Sequence, residues 1–211
     1  MPLQVAVGHA SLTGPRERNE DFCGVATPVG LELENKGVLA AVADGIGGHK
    51  GGREAAEYSV RGLLADYFAT PDTWSVPRAI ETVTTALNRW VMAEASRNAE
   101  LAGMATTLSG LVLRGRRFYT AHIGDSRIYR MRDGRLDRLT VDHVELGQRD
   151  RALFLAMNSQ RHVASEYLLL FPRRRVAQPM AQHETIELSF GKLKRAGLFD
   201  RVLRRDHEKR G

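Results

Sequence analysis

Cysteine is nearly absent from this sequence. Cys23 is the only one in 211 residues, so no intrachain disulfide can form and a disulfide-stapled secreted scaffold is excluded. Residues 1–8 carry no basic cluster and no sustained apolar stretch, which excludes a secretory signal there and leads to the expectation of a cytoplasmic protein. Long hydrophobic runs are missing too. Purely apolar runs such as residues 38–43 and 168–171 fall far short of the roughly 20 apolar residues that cross a bilayer, so no membrane span is expected. Internal repeats and low-complexity tracts are lacking. A dinucleotide fingerprint is also lacking, because Lys50 stands where the last glycine of G-x-G-x-x-G would follow Gly47, and no Gly-Lys-Ser/Thr of a Walker loop occurs. What remains, at 43% hydrophobic and 27% charged residues, is the composition of an ordinary folded domain, long enough to bury one core.

The net charge of +6 suggests an anionic partner, but the sum hides an asymmetry. Residues 1–145 hold 17 Lys+Arg against 18 Asp+Glu, whereas residues 146–211 hold 14 against 7. The positive balance therefore belongs to the last third, which has only 4 of the 20 glycines and includes Arg173, Arg174 and Arg175 in a row. Its basic residues are not interleaved with aromatics in any recognisable reading motif, which disfavours nucleic acid as a partner. Two portions are predicted: a globular domain over 1–145 and an atypical basic tail over 146–211. The tail is expected to be frameshifted or disordered, or else a docking element of a short variant, with residues 186–205 as the anion-binding stretch.

Within the first portion, residues 4–10, 21–27 and 38–43 read as strands, the last a compact apolar run ending in Asp44-Gly45. The period then changes. Ala56, Val60, Leu63, Leu64, Tyr67 and Phe68 fall on one helical face before Pro71-Asp72, and Ile80, Val83, Leu87, Trp90 and Val91 repeat the pattern over 76–95. Trp90 is expected in the core, as is Cys23 in its strand. Four further strands follow at 108–113, 118–123, 126–131 and 135–139, the last two joined by Asp133-Gly134, a strong two-residue hairpin signal. Strands, two helices, then antiparallel hairpins predict an α+β fold with helices over a sheet face.

Three acidic clusters could carry chemistry. Asp44-Gly45-Ile46-Gly47-Gly48 delivers a carboxylate at a strand tip beside unhindered backbone, suiting a metal or a phosphate, although a plain turn needing positive φ accounts for the same residues. Asn19-Glu20-Asp21, with Arg16 and Arg18 close by, offers two adjacent acids and a guanidinium, a set suited to a cation together with a phosphate oxyanion. A solvated, self-paired turn is its bland alternative. Gly124-Asp125-Ser126-Arg127 puts a third acid on a tight turn, where local hydrogen bonding alone explains aspartate. His49 and Lys50 read as a solvated loop, and His143 as a structural hydrogen-bond partner.

In order, Arg16-x-x-Asn19-Glu20-Asp21, Asp44-Gly45-x-Gly47-Gly48, Gly103-Met104-Ala105-Thr106-Thr107, Gly124-Asp125-Ser126-Arg127-x-Tyr129, Asp133-Gly134 and Leu139-Thr140-x-Asp142-His143 resemble the N-terminal motifs of the PPM-type, PP2C-like, metal-dependent protein serine/threonine phosphatases of bacteria. The resemblance covers about residues 4–145. It implies a four-layer α-β-β-α sandwich, incomplete at the C-terminus, with two Mn²⁺ or Mg²⁺ ions at one end. By that resemblance Asp44 would bridge both ions, Glu20 and the Gly45 carbonyl would help hold the second, and Asp21 would support the water shell. Asp125 would serve a third, weaker ion, and Arg16 would grip the substrate phosphate. The implied reaction is hydrolysis of phosphoserine and phosphothreonine in phosphorylated proteins by a metal-activated water, opposing a serine/threonine protein kinase. Ile46 stands where some relatives carry a histidine general acid.

The sequence departs from the family in one respect. A complete domain supplies two more metal carboxylates, in a Ser/Thr-Asp-Gly and a Gly-Asp-Asn motif, and neither occurs after residue 145, where the aspartates are Asp150, Asp200 and Asp206. Reduced metal affinity is the expectation. The alternative function is a catalytically inactive, phosphatase-like module that binds phosphoprotein.

Overall fold

The computed structural model describes residues 5–11, 13, 16–46, 51–132 and 135–143, together with the strands 156–161, 167–171 and 185–189. Among the described residues, ten strands and three α-helices run in the order β1 (Ala6–Ala10), β2 (Asp21–Ala26), α1 (Gly30–Lys36), β3 (Val38–Asp44), α2 (Gly52–Ala69), α3 (Val76–Arg97), β4 (Leu108–Arg114), β5 (Arg117–Ile123), β6 (Arg127–Arg132), β7 (Arg135–Arg138), β8 (Ala156–Arg161), β9 (Tyr167–Phe171) and β10 (Thr185–Ser189). They form two five-stranded sheets with strand orders β1-β10-β9-β6-β7 and β2-β3-β4-β5-β8. All named strand pairs are antiparallel.

β3 explains the layering. Its sequence Val-Leu-Ala-Ala-Val-Ala is apolar at every position because both faces of the strand are covered. Leu39, Ala41 and Ala43 face Ala56, Val60 and Leu63 of α2 and Ile80 and Val83 of α3, while Val38, Ala40 and Val42 join Leu111, Leu113, Phe118 and Ile128. Ile128 comes from β6 of the other sheet, so this second cluster fills the sandwich. The β3–β4 register, Val38↔Leu113 and Leu39↔Val112, keeps the alternation in phase. The helix pair thus covers the outer face of the second sheet. Among the described residues no helical layer covers the first sheet, so three of the four expected layers are seen.

The expected strands and both long helices are present, α2 ending before Pro71 and α3 capped by Ser75, whose Oγ accepts from the Arg78 N–H at 3.4 Å. Asp133-Gly134 lies outside the described residues, but Arg132↔Arg135 pairs across it. Gly14-Pro15 and residues 47–50, His49 and Lys50 included, also lie outside them. Cys23 is partly buried against the sandwich core. Trp90 is a correction: it is exposed and packs edge-to-face on Tyr58 at 4.8 Å between ring centroids, because among the described residues nothing is layered over the outer flank of α3. Helix α1 was not anticipated, nor were β8, β9 and β10, which pair with β5, with β6 and β10, and with β1 and β9.

Candidate active site

Two acids reach the same end of the second sheet by strand pairing. Asp21 opens β2 and Asp44 closes β3, and the antiparallel register sets Asp21 directly opposite Asp44. Cross-strand partners share a face with Cβ atoms about 5 Å apart, and like charges so placed repel, so the arrangement calls for a cation. Glu20 precedes β2. Arg16, Arg18, Asn19, Glu20, Asp21 and Asp44 together line one small polar cleft. Four of the residues singled out from sequence, Arg16, Glu20, Asp21 and Asp44, are therefore neighbours.

Asp44 is fixed from behind by two threonines. Its N–H donates to Thr107 Oγ1 at 3.0 Å, and its carbonyl accepts from the Thr107 N–H at 2.9 Å and from Thr106 Oγ1 at 3.0 Å. Thr107 Oγ1 lies 2.6 Å from Ser126 Oγ, so the clamp reaches the turn that bears Asp125. Asp125 is not among the residues lining the cleft. The strand then stops. Gly45 forms an isolated antiparallel bridge with Thr106, and its N–H donates to the Glu20 carbonyl at 3.2 Å. A Cβ at Gly45 would come within 2.3 Å of the Gly52 carbonyl oxygen and 2.7 Å of the Glu20 carbonyl oxygen, a cradle of main-chain oxygens that excludes any side chain.

The donor set consists of carboxylates and carbonyls, the hard oxygens that Mg²⁺ and Mn²⁺ prefer. It fits such ions in kind and supplies one wall of a site. Among the described residues, no three His, Cys, Asp or Glu side chains gather to hold one ion.

Sequence reasoning gave no role to Arg53, Thr106 or Thr107. The two threonines stand in a quoted motif, but their hold on Asp44 spans 62 and 63 residues, which no local pattern encodes. His143 is a structural partner, as expected: its N–H donates to the Gly124 carbonyl at 2.8 Å and its Nδ1 accepts from the Gly124 N–H at 3.2 Å. Nearby, Asp142 holds Arg127 through a two-pronged pair at 3.1 and 2.8 Å.

Comparison with known proteins agrees with this geometry. A family model described as Protein phosphatase 2C matches residues 16–166. A Listeria innocua serine/threonine phosphatase, stp, is 33% identical over 132 residues, which are 61% of this chain and 50% of that protein. The Mycobacterium tuberculosis serine/threonine protein phosphatase PstP is 36% identical over 104 residues, 49% of this chain and 20% of that protein. The chain spans about half the length of the Listeria relatives. Among solved structures, the M. tuberculosis phosphatase PstP superposes with a TM-score of 0.67 at 20% identity, over 90% of this chain and 99% of that one. The PstP catalytic domain in complex with two manganese ions gives 0.64 at 21% identity, over 89% and 97%. At these identities the structural likeness establishes the fold.

Proposed function

The chain belongs to the protein phosphatase 2C family, and from that premise we propose that it hydrolyses phosphoserine and phosphothreonine esters in proteins at a pair of Mn²⁺ or Mg²⁺ ions. One observation carries the reading: a single small cleft is lined by Arg16 together with Glu20, Asp21 and Asp44. Asp44, Glu20, the Gly45 carbonyl and Asp21 would hold the two ions and their water shell, and Asp125 a further, weaker one. When bound, the ions supply the charge that acidifies a water and neutralises phosphoryl oxygens. Arg16 pairs with non-bridging phosphate oxygens through its planar fork, binding and orienting the ester. Thr106 and Thr107 hold the main chain of Asp44 and so fix the point from which its carboxylate projects. Ile46, exposed and apolar beside this cleft's end strand, has no proton to give, so the leaving alkoxide takes its proton from water. No covalent phosphoenzyme is required.

The proposal extends to the setting: a cytoplasmic enzyme acting on phosphorylated proteins against a serine/threonine protein kinase. Among the described residues no helix is long and apolar enough to cross a membrane. It also retains the division of the chain into a phosphatase portion, 1–145, and a basic tail, 146–211. Reading the genomic frames downstream of codon 145 tests the frameshift origin of the tail, which fails if no other frame encodes the missing Asp-Gly and Gly-Asp-Asn motifs.

The activity test is Mn²⁺-dependent hydrolysis of a small aryl phosphate and of a phosphoserine peptide by the full chain. Turnover is expected to need Mn²⁺ and to drop roughly 100-fold or more in Asp44→Asn. Turnover indifferent to that substitution refutes the assignment. The sparse donor set favours a second reading, a phosphoprotein-binding module without catalysis. Peptide binding that persists without turnover selects it.

A further inference from the structure

Arg53 stands in the first turn of α2 and outside the residues lining the cleft. Its Nη1 donates to the carbonyl of Asp21 at 2.8 Å and to that of Asn19 at 3.3 Å. These carbonyls flank Glu20, whose own carbonyl accepts the Gly45 N–H at 3.2 Å, while the Asp21 N–H donates to Asn19 Oδ1 at 3.0 Å. Every main-chain carbonyl from 19 to 21 is thereby held, two of the three by one guanidinium. The Glu20 carboxyl carbon lies 3.4 Å from where a Cβ on Gly52 would stand, so this acid rests over the start of α2, one residue from Arg53.

The guanidinium is itself held. It stacks over the Phe22 ring at 5.1 Å, with Arg61 over the same ring at 5.3 Å. Glu57 lies 3.9 Å from Arg53 Nε and 2.7 Å from Arg61 Nε. Arg61 shares the ring and the carboxylate, and its described hydrogen bond goes to Glu57. A permanently charged, planar, multi-donor group suits the task of holding two carbonyls at once, and a lysine ammonium reproduces it only in part.

We propose that Arg53 is a positioning residue for the Glu20-Asp21 acid pair, acting through the main chain of residues 19–21; the proposal rests on the phosphatase reading. The test compares the full-length chain with Arg53→Gln, Arg53→Lys and the control Arg61→Gln. Three quantities are measured: amide exchange at Asp21 and Gly45 against mid-helix Leu63 and Leu64, Mn²⁺ affinity by electron paramagnetic resonance, and kcat and KM on the aryl phosphate. In Arg53→Gln, exchange at Asp21 and Gly45 is expected to quicken about tenfold with Leu63 and Leu64 unchanged, and Mn²⁺ affinity to fall about tenfold. The same substitution is expected to lower kcat with little change in KM. Arg53→Lys recovers part of each effect and Arg61→Gln shows none. Unchanged exchange at Asp21 and Gly45, equal loosening of the whole helix, or an Arg61→Gln effect of the same size overturns the proposal. A wild-type chain with no turnover refutes the phosphatase reading instead, and the exchange measurement still decides the role of Arg53.

Discussion

His122 on β5 is a histidine that the fold keeps neutral. It is buried, and its Nδ1 lies 2.9 Å from Ser109 Oγ on the neighbouring strand. Desolvation, reinforced by the His143 ring 5.0 Å away, pulls its pKa down to about 4. The unfolded imidazole titrates near 6.5, so between these values the unfolded chain binds the extra proton. Stability contributed above pH 6.5 is therefore eroded as pH falls toward 4, by about 3 kcal/mol at full extent. Urea unfolding at pH 7 and pH 4.5 measures this loss, and His122→Asn is expected to flatten it; an unflattened slope would assign the acid sensitivity to another group. Sequence gave no hint of this, since a histidine in the strand Arg-Phe-Tyr-Thr-Ala-His-Ile shows its burial only once the sheet closes over it. Asp44, Glu20 and Asp21 were legible because motif spacing and strand ends are local properties. The hold of Thr107 on Asp44 and of Arg53 on residues 19–21 depends on long-range contact and was not.

At the scale of elements, the long amphipathic helices and the buried strand β3 could be read from period and from continuous apolarity. Helix α1 could not: its seven residues are too few for a hydrophobic period, and Leu31 points to solvent. Its role emerges from packing. Lys36, in its last turn, is buried, and its ammonium donates to the Thr70 carbonyl, to Thr70 Oγ1 at 2.8 Å and to the Pro71 carbonyl at 3.2 Å, with Asp72 at 3.7 Å. Tyr67 returns a bond from its hydroxyl to the Lys36 carbonyl at 2.8 Å. A lysine near a helix end normally reads as a solvated complement to that helix's own dipole; this one instead holds the carbonyls just past the end of a different helix, at Thr70, the C-cap of α2, and at Pro71. Lys36→Met keeps the aliphatic stem but strands those acceptors, and is expected to cost about 3 kcal/mol by urea unfolding. A cost below about 1 kcal/mol would mean that water substitutes for the ammonium.

At the scale of the molecule, composition and topology divide the chain differently. Charge and glycine content change near Leu146, whereas strand pairing crosses that point: β8 extends the second sheet from β5, and β9 and β10 stand between β6 and β1 in the first. The short strand Ala-Met-Asn-Ser-Gln-Arg has no clear alternation, and the run Leu168–Leu170 declares apolarity without declaring a partner, so neither could be assigned from sequence. The consequence concerns β1. In the first sheet β1 pairs with β10, from Ala6↔Ser189 to Ala10↔Thr185, and through β10 and β9 it is joined to β6 and β7. Ending the chain at residue 145 removes that link and bares the edges of β5 and β6, so residues 6–10 should lose their ladder and the exposed edges should invite association. Hydrogen exchange of the full chain is expected to protect the amides of β1 that face β10, and the 1–145 chain to lose that protection while the β3–β4 amides keep theirs. Equal protection of β1 in both chains would mean that its partner lies within the first 145 residues and that the basic tail is dispensable for the sandwich.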